Sequence, residues 1–207
     1  MIYRTTLLII KIFDYFHKKK IISFLKKNKK SEINTIIDVG GHTGESIDLF
    51  LKNFSVKKII SFEASPINFK KLETNCINLK KKYENTEICI ENYAVGNEEK
   101  VLKINQFVES SSSTLKPLNK NSSYFKKKFF FLKKNLDGNL FYEIEVKLIL
   151  LYDYLTKNNI KNIDLLKIDT EGYEHETILG LRNKIENVKF IFFEHHYDNM
   201  IEKNYKF

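Results

Sequence analysis

Apolar positions along this chain follow two spacings. The β-branched runs at residues 35–39, 57–63 and 88–96 read as strands. Between them, Ile47, Phe50, Leu51 and Phe54, then Phe69, Leu72, Cys76 and Leu79, recur at helical intervals. Ser65-Pro66 marks the start of the second helix, serine as N-cap and proline at the first helical position. Strand, helix, strand, helix, strand predicts right-handed crossovers and a parallel sheet covered on both faces.

The middle of the chain breaks that rhythm. Residues 101–104 and 144–148 alternate like half-exposed strands and are expected to pair as a hairpin. Between them lie the run Ser110 to Ser113 and a lysine- and phenylalanine-rich segment, 124–134, which reads as a lid or a mobile loop because it is too long for a plain connector. The alternation then resumes, with a helix at 150–157, a buried strand at 163–168, a helix at 173–185 with Ile178, Leu181 and Ile185 on one face, and a last strand at 188–196. The expected fold is α/β, a doubly wound, mostly parallel sheet with a hairpin and loop insertion and a short C-terminus.

With 207 residues the chain suits one main domain, assigned to 32–207, after an N-terminal helical extension at 1–31. That extension carries Leu7, Leu8, Ile9, Ile10, Ile12, Phe13 and Phe16 followed by clustered lysines. Lys11 and Asp14 interrupt the run, no small-residue cleavage site follows, and it falls short of the roughly 20 apolar residues of a membrane span. It reads as an amphipathic helix, packed on the domain or touching the inner face of a cytoplasmic membrane. The net charge of +9 rests almost wholly on lysine, with Arg4 and Arg182 the arginines. Bidentate phosphate and base recognition favours arginine, so specific nucleic-acid binding is not expected. Cys76 and Cys89 lack metal spacing and read as reduced thiols.

Candidate chemistry lies where the strands end, since open parallel sheets bind ligands beyond the carboxyl ends of their strands. Those ends carry Asp38, Glu63, Asn92, Asp169, Glu171, Glu194, His195 and His196, an acidic rim on a basic chain. The first leads into a turn with Gly40, Gly41 and Gly44, whose glycines permit positive φ and close ligand approach, while the next helix is expected to point unsatisfied N–H groups into the turn. The spacing is not that of a dinucleotide fingerprint, and an aspartate just before the turn repels pyrophosphate. S-adenosylmethionine suits the rim better, having an ammonium, a sulfonium, no phosphate and a ribose diol. Asp38 is placed for the ammonium side and Glu63 for the diol.

The segments Ile37-Asp38-Val39-Gly40-Gly41-His42-Thr43-Gly44, Phe62-Glu63-Ala64-Ser65-Pro66, Ala94-Val95-Gly96, Ser111-Ser112-Ser113, Leu166-Lys167-Ile168-Asp169-Thr170-Glu171-Gly172 and Phe193-Glu194-His195 resemble, in matching order, those of the FkbM-type methyltransferases. The resemblance implies a class I, Rossmann-like fold dependent on S-adenosylmethionine. It also implies O-methylation of a hydroxyl, often on sugars of glycans or on secondary metabolites. The family's usual Ala-Asn is Gly41-His42 here, its first proline after Phe-Glu is Ala64, and residues 197–207 are short for the antiparallel hairpin that usually ends such folds.

Together these readings nominate Asp38, Gly40, Gly41, His42, Gly44, Ser46, Glu63, Ala64, Asn92 and Ala94 as cofactor-binding. Asp169 is nominated as the base that takes the acceptor's proton, with His195 the alternative and Lys167 or Glu171 orienting the base or acceptor. No metal is expected. The acceptor is expected to be a saccharide or another hydroxyl-bearing compound. Rival readings are a non-catalytic homologue that binds the cofactor only, a nucleic-acid methyltransferase, whose usual Asn/Asp-Pro-Pro-aromatic motif is missing after the fourth strand, and a dehydrogenase.

Overall fold

The computed structural model describes residues 16, 18–28, 32–133, 139–194 and 201. A helix α1 (residues 18–28) precedes β1 (Thr35–Val39), α2 (Glu45–Asn53), β2 (Lys58–Phe62), α3 (Pro66–Lys82), β3 (Glu87–Glu91) and β4 (Ala94–Gly96). Then come β5 (Lys100–Phe107), α4 (Ser123–Lys133), β6 (Phe141–Leu150), α5 (Leu151–Lys157), β7 (Ile163–Ile168), α6 (Glu174–Leu179), a 3-10 turn (Arg182–Asn187) and β8 (Val188–Phe193).

Five strands form one parallel sheet in the order β3-β2-β1-β7-β8. The chain winds outward from β1 through β2 to β3, then returns to the other side of β1 for β7 and β8. The order therefore reverses between β1 and β7, the switch point where such sheets open a crevice. Period-two alternation divides the core between the two faces. Ile36, Ile59 and Leu165 face α2 and α3 and meet Ile47, Phe50, Leu72 and Cys76. Ile37, Ile60, Leu166 and Ile168 face the other way and meet Leu151 and Leu155 of α5. Ile22 and Leu25 of α1 are buried in the first of these clusters. Among the described residues no helix is long and apolar enough to cross a membrane. The apolar run before residue 16 lies outside them.

Three expectations need correction. The segment 88–96 is two strands: the Asn92 amide donates to the carbonyls of Glu63, at 2.7 Å, and Ala64, and beyond it β4 leaves the main sheet to pair with β6. There it joins the antiparallel β5–β6 pair in a three-stranded sheet, β4-β6-β5. The segment 124–134 is largely helical, α4, anchored by Phe125 against Phe107 and Ile201. The helix expected over 173–185 ends at Gly180, whose backbone is pressed against β4: a Cβ there would lie 2.0 Å from the Gly96 carbonyl. Ile185, beyond that break, is exposed while Leu181 is fully buried.

Candidate active site

The turn after β1 satisfies itself. The N–H groups of Gly40 and Gly41 both donate to the Phe62 carbonyl at 2.9 Å, Gly44 N–H donates to the Gly41 carbonyl, and Thr43 N–H reaches Glu45 Oε2 at 3.3 Å. His42 N–H donates to Glu63 Oε2 at 2.8 Å. The N–H groups of residues 40–44 are therefore already bonded within the protein, while α2 begins at Glu45 with no side-chain cap on its first N–H groups. Gly40, with φ +85°, stands so close to β7 that a Cβ would lie 1.9 Å from the Asp169 carbonyl. His42 holds φ +48°, a left-handed backbone uncommon outside glycine.

Asp38 is fully buried on the α2 face of the sheet. Its Oδ2 accepts from Ser46 Oγ at 2.6 Å and Ser61 Oγ at 2.8 Å, and its Oδ1 lies 3.1 Å from Lys167 Nζ. Lys167, itself buried, also donates to the Gly40 carbonyl at 2.8 Å and lies 3.4 Å from Asp169 Oδ2. Burial alone would lower the lysine's pKa, but the adjacent Asp38 and Asp169 carboxylates outweigh it and raise it.

Two cavities open at the strand ends. The smaller, about 80 Å³, is lined by Glu63, Ala64, Asn68, Tyr93, Ala94 and Ser110, among others. The larger, about 680 Å³, runs past Lys167 to Glu194, Phe192 and Phe193, with Lys18 and Ile21 of α1 on its wall. Both are lined by Gly40, His42, Ser111, Asp169 and Glu171, so they adjoin as one cleft. In the smaller part Glu63 accepts from the backbone of His42 and, through Oε1, from Ser65 N–H at 2.9 Å. Burial pushes its carboxyl above the usual range, against those two donors, which lower it. Beside it Asn68 donates to the Ser110 carbonyl, while its buried Oδ1 has no hydrogen-bond partner. His42 Nε2 lies 2.9 Å from Ser110 Oγ, which closes the serine run over this end.

At the β7 end, Glu174 occupies the turn that begins with Asp169. Its Oε1 accepts from the N–H groups of Thr170, at 3.1 Å, and Gly172, at 3.0 Å, and from the Thr170 hydroxyl. Glu171 sits in that turn at φ +52°, its carbonyl accepting from the Thr114 hydroxyl. Glu194 follows β8, its N–H donating to the Ile168 carbonyl at 3.1 Å, which sets it beside Asp169. Partial burial, then the like charge of Asp169 and a hydrogen bond to it, push the Glu194 carboxyl up to about 7.

The cleft brings together Gly40, Gly41, His42, Ser46, Glu63, Ala64, Ala94, Lys167, Asp169 and Glu171. Asp38, Gly44 and Asn92 line neither cavity. Asp38 is spent on Lys167 and two serines, Gly44 starts α2 with φ +96°, and Asn92 braces the β2 end. His195 and His196 lie outside the described residues. Ser61, Asn68 and Glu174 escaped sequence reading. The signal for Ser61 was a polar residue inside an apolar strand, and for Asn68 a place on the Leu72–Cys76–Leu79 stripe. Among the described residues no group of acids, histidines and cysteines is arranged to hold a metal.

The family model for the Methyltransferase FkbM domain matches residues 38–206, which takes in every wall of this cleft except α1. No curated protein matches the chain. Among solved structures, the chain is similar to methyltransferase FkbM from Methylobacillus flagellatus KT at 13% identity, over 77% of this chain and 32% of that one, with a TM-score of 0.49. The chain thus spans about a third of that protein's length. It is also similar to the YcgJ protein from Bacillus subtilis, at 15% identity over 37% of this chain and 30% of that one, with a TM-score of 0.27.

Proposed function

This chain belongs to the FkbM methyltransferases, and from that premise we propose that it moves a methyl group from S-adenosylmethionine to a hydroxyl, on a sugar of a glycan or a lipid-linked saccharide. The observation that carries the cofactor reading is the pair of acceptors in the smaller cavity, Glu63 and the unpartnered Asn68 Oδ1. A buried acceptor without a donor is costly, so this pocket favours a ligand that brings hydroxyl or amino hydrogens. A ribose and a purine amine do so. The N–H groups of residues 40–44 are spent within the protein, which leaves a pyrophosphate only the start of α2 and weighs against a dinucleotide.

S-adenosylmethionine, when bound, supplies a methyl group on a positively charged sulfur. The residues around the larger cavity suit that charge, since Asp169, Glu171 and Glu194 face it. Gly40 and Gly41 keep the wall between β1 and β7 thin, and His42 with Ser110 shields the smaller end. Lys167 holds the Gly40 carbonyl and the Asp169 carboxylate in fixed relation, itself anchored by Asp38. A hydroxyl entering the larger cavity finds carboxylates that accept its hydrogen, and fixing it there removes the entropic part of the barrier, worth about 7–11 kcal/mol in favourable cases.

Titration calorimetry with S-adenosylhomocysteine tests the cofactor, and methyl transfer from labelled S-adenosylmethionine to a panel of free, glycan and lipid-linked sugars tests the acceptor. Binding with labelled product is the expected result. A folded chain that leaves S-adenosylhomocysteine unbound ends the cofactor reading, and labelling of amines or nucleic acid in place of sugars ends the acceptor reading.

A further inference from the structure

Two carboxyl groups face the larger cavity from neighbouring strand ends, and their surroundings differ. Asp169 lies 3.4 Å from Lys167 Nζ. Glu194, set beside Asp169 one strand further out by its N–H bond to the Ile168 carbonyl, has no lysine or arginine within salt-bridge distance among the described residues. Lys167 is already shared among Asp38, Asp169 and the Gly40 carbonyl. Two like charges in contact cannot both ionise freely, so such a pair keeps one proton on the member with less positive support.

We propose that Glu194, in place of Asp169, is the catalytic base, with Asp169, tied to Lys167, as the residue that positions it. The proposal rests on the methyltransferase reading above. In the step, the acceptor's O–H bond breaks and its proton goes to a Glu194 oxygen. The oxygen's electron pair forms the new bond to the methyl carbon, and the carbon–sulfur pair leaves with sulfur as a neutral thioether. Glu194 is exposed at the mouth of the cleft, so the proton passes on to water. Its carboxyl, pushed up to about 7, is far better matched to a hydroxyl proton at neutral pH than an ordinary carboxylate. The other charged groups that set its titration are Lys167 and, from α6, Glu174, while Lys18, His42, Glu45 and Glu171 complete the ionisable lining of the cavity.

The first readout needs no cofactor. In a carboxyl carbon-13 NMR titration of the whole chain, a Glu194 resonance is expected to titrate near neutrality, to vanish in Glu194→Gln and to move to lower pH in Asp169→Asn. A Glu194 that titrates in the ordinary glutamate range overturns the proposal. The second readout is turnover against pH with a sugar acceptor from the panel. Wild-type kcat should rise to a plateau above about pH 7, and Glu194→Gln should lose about 100-fold or more. Affinity for S-adenosylhomocysteine should stay within about threefold, and Glu194→Asp should recover part of the rate. A Glu194→Gln rate within about fivefold of wild type also overturns it. If S-adenosylhomocysteine fails to bind wild type, the cofactor reading falls, and the cofactor-free titration still decides which carboxyl holds the proton.

Discussion

At the scale of single residues, the β1–β7 crevice is set by what cannot be larger. Gly40 has both a left-handed backbone and a Cβ position 1.9 Å from the Asp169 carbonyl. Gly40→Ala should therefore destabilise the fold by about 3 kcal/mol or more, because relief requires moving β7 backbone rather than a flexible side chain. Chemical denaturation checks this, and a loss below about 1 kcal/mol contradicts the close approach. Glu63→Gln keeps the size but sets an amide NH2 donor against one of the two backbone N–H groups that the carboxylate accepts from. S-adenosylhomocysteine binding should weaken by about 1.5–3 kcal/mol, and the unfolding midpoint should fall as well. Much at this scale was legible, because a β-branched run, an acid and a glycine turn make a local pattern. The tie of Asp38 to Lys167, which bonds the turn across 127 positions, carries no local signal.

At the scale of elements, buried ties outside the cleft hold the strands in register. Asp164, at the foot of β7, accepts from the N–H groups of Asn34 and Thr35, both at 2.8 Å, and pairs with Lys189 of β8 at 2.5 Å. One carboxylate thus clamps three neighbouring chain segments. Burial would raise its pKa, but the Lys189 contact and the two backbone donors win and lower it. A carboxylate lowered in the folded state adds stability above its unfolded pKa, near 3.9, and that stability is lost as pH falls through the folded value. Asp164→Asn should cost about 1.5–3 kcal/mol at pH 7, with the deficit against wild type closing below about pH 4. Urea unfolding at pH 7 and pH 3.5 reads both, and a deficit independent of pH rules out the ionic tie. The strands of the parallel sheet and the helix faces followed from periodicity, but three boundaries did not. The break after Asn92, the stop at Gly180 and the helical α4 are each set by tertiary partners: the carbonyls of Glu63 and Ala64, the backbone of Gly96, and the Phe107–Ile201 cluster.

For the whole molecule, the two kinds of carboxylate act on stability in opposite directions. Asp48, Asp164 and Glu45, the last held at about 2 by hydrogen bonds from His42 and Thr43 that outweigh its partial burial, protect the fold as pH rises out of the acid range. Glu63 and Glu194 are raised, so the folded chain binds more protons at these two sites than the unfolded chain does. Their contribution is fully present below the unfolded value, near 4.3, and falls as pH rises through the folded values, about 7 for Glu194. The unliganded chain should therefore lose melting temperature between about pH 5 and pH 7.5, and Glu194→Gln should flatten that loss. A cationic ligand in the cleft prefers these groups ionised, so its stabilisation must grow over the same range by linkage. S-adenosylmethionine should raise the melting temperature more at pH 7.5 than at pH 5, and by a margin that S-adenosylhomocysteine, lacking the sulfonium, does not show. Thermal melts of wild type with each compound at both pH values separate the cases. Equal pH dependence for the two would place the acidic rim away from the sulfur and leave it to the acceptor alone.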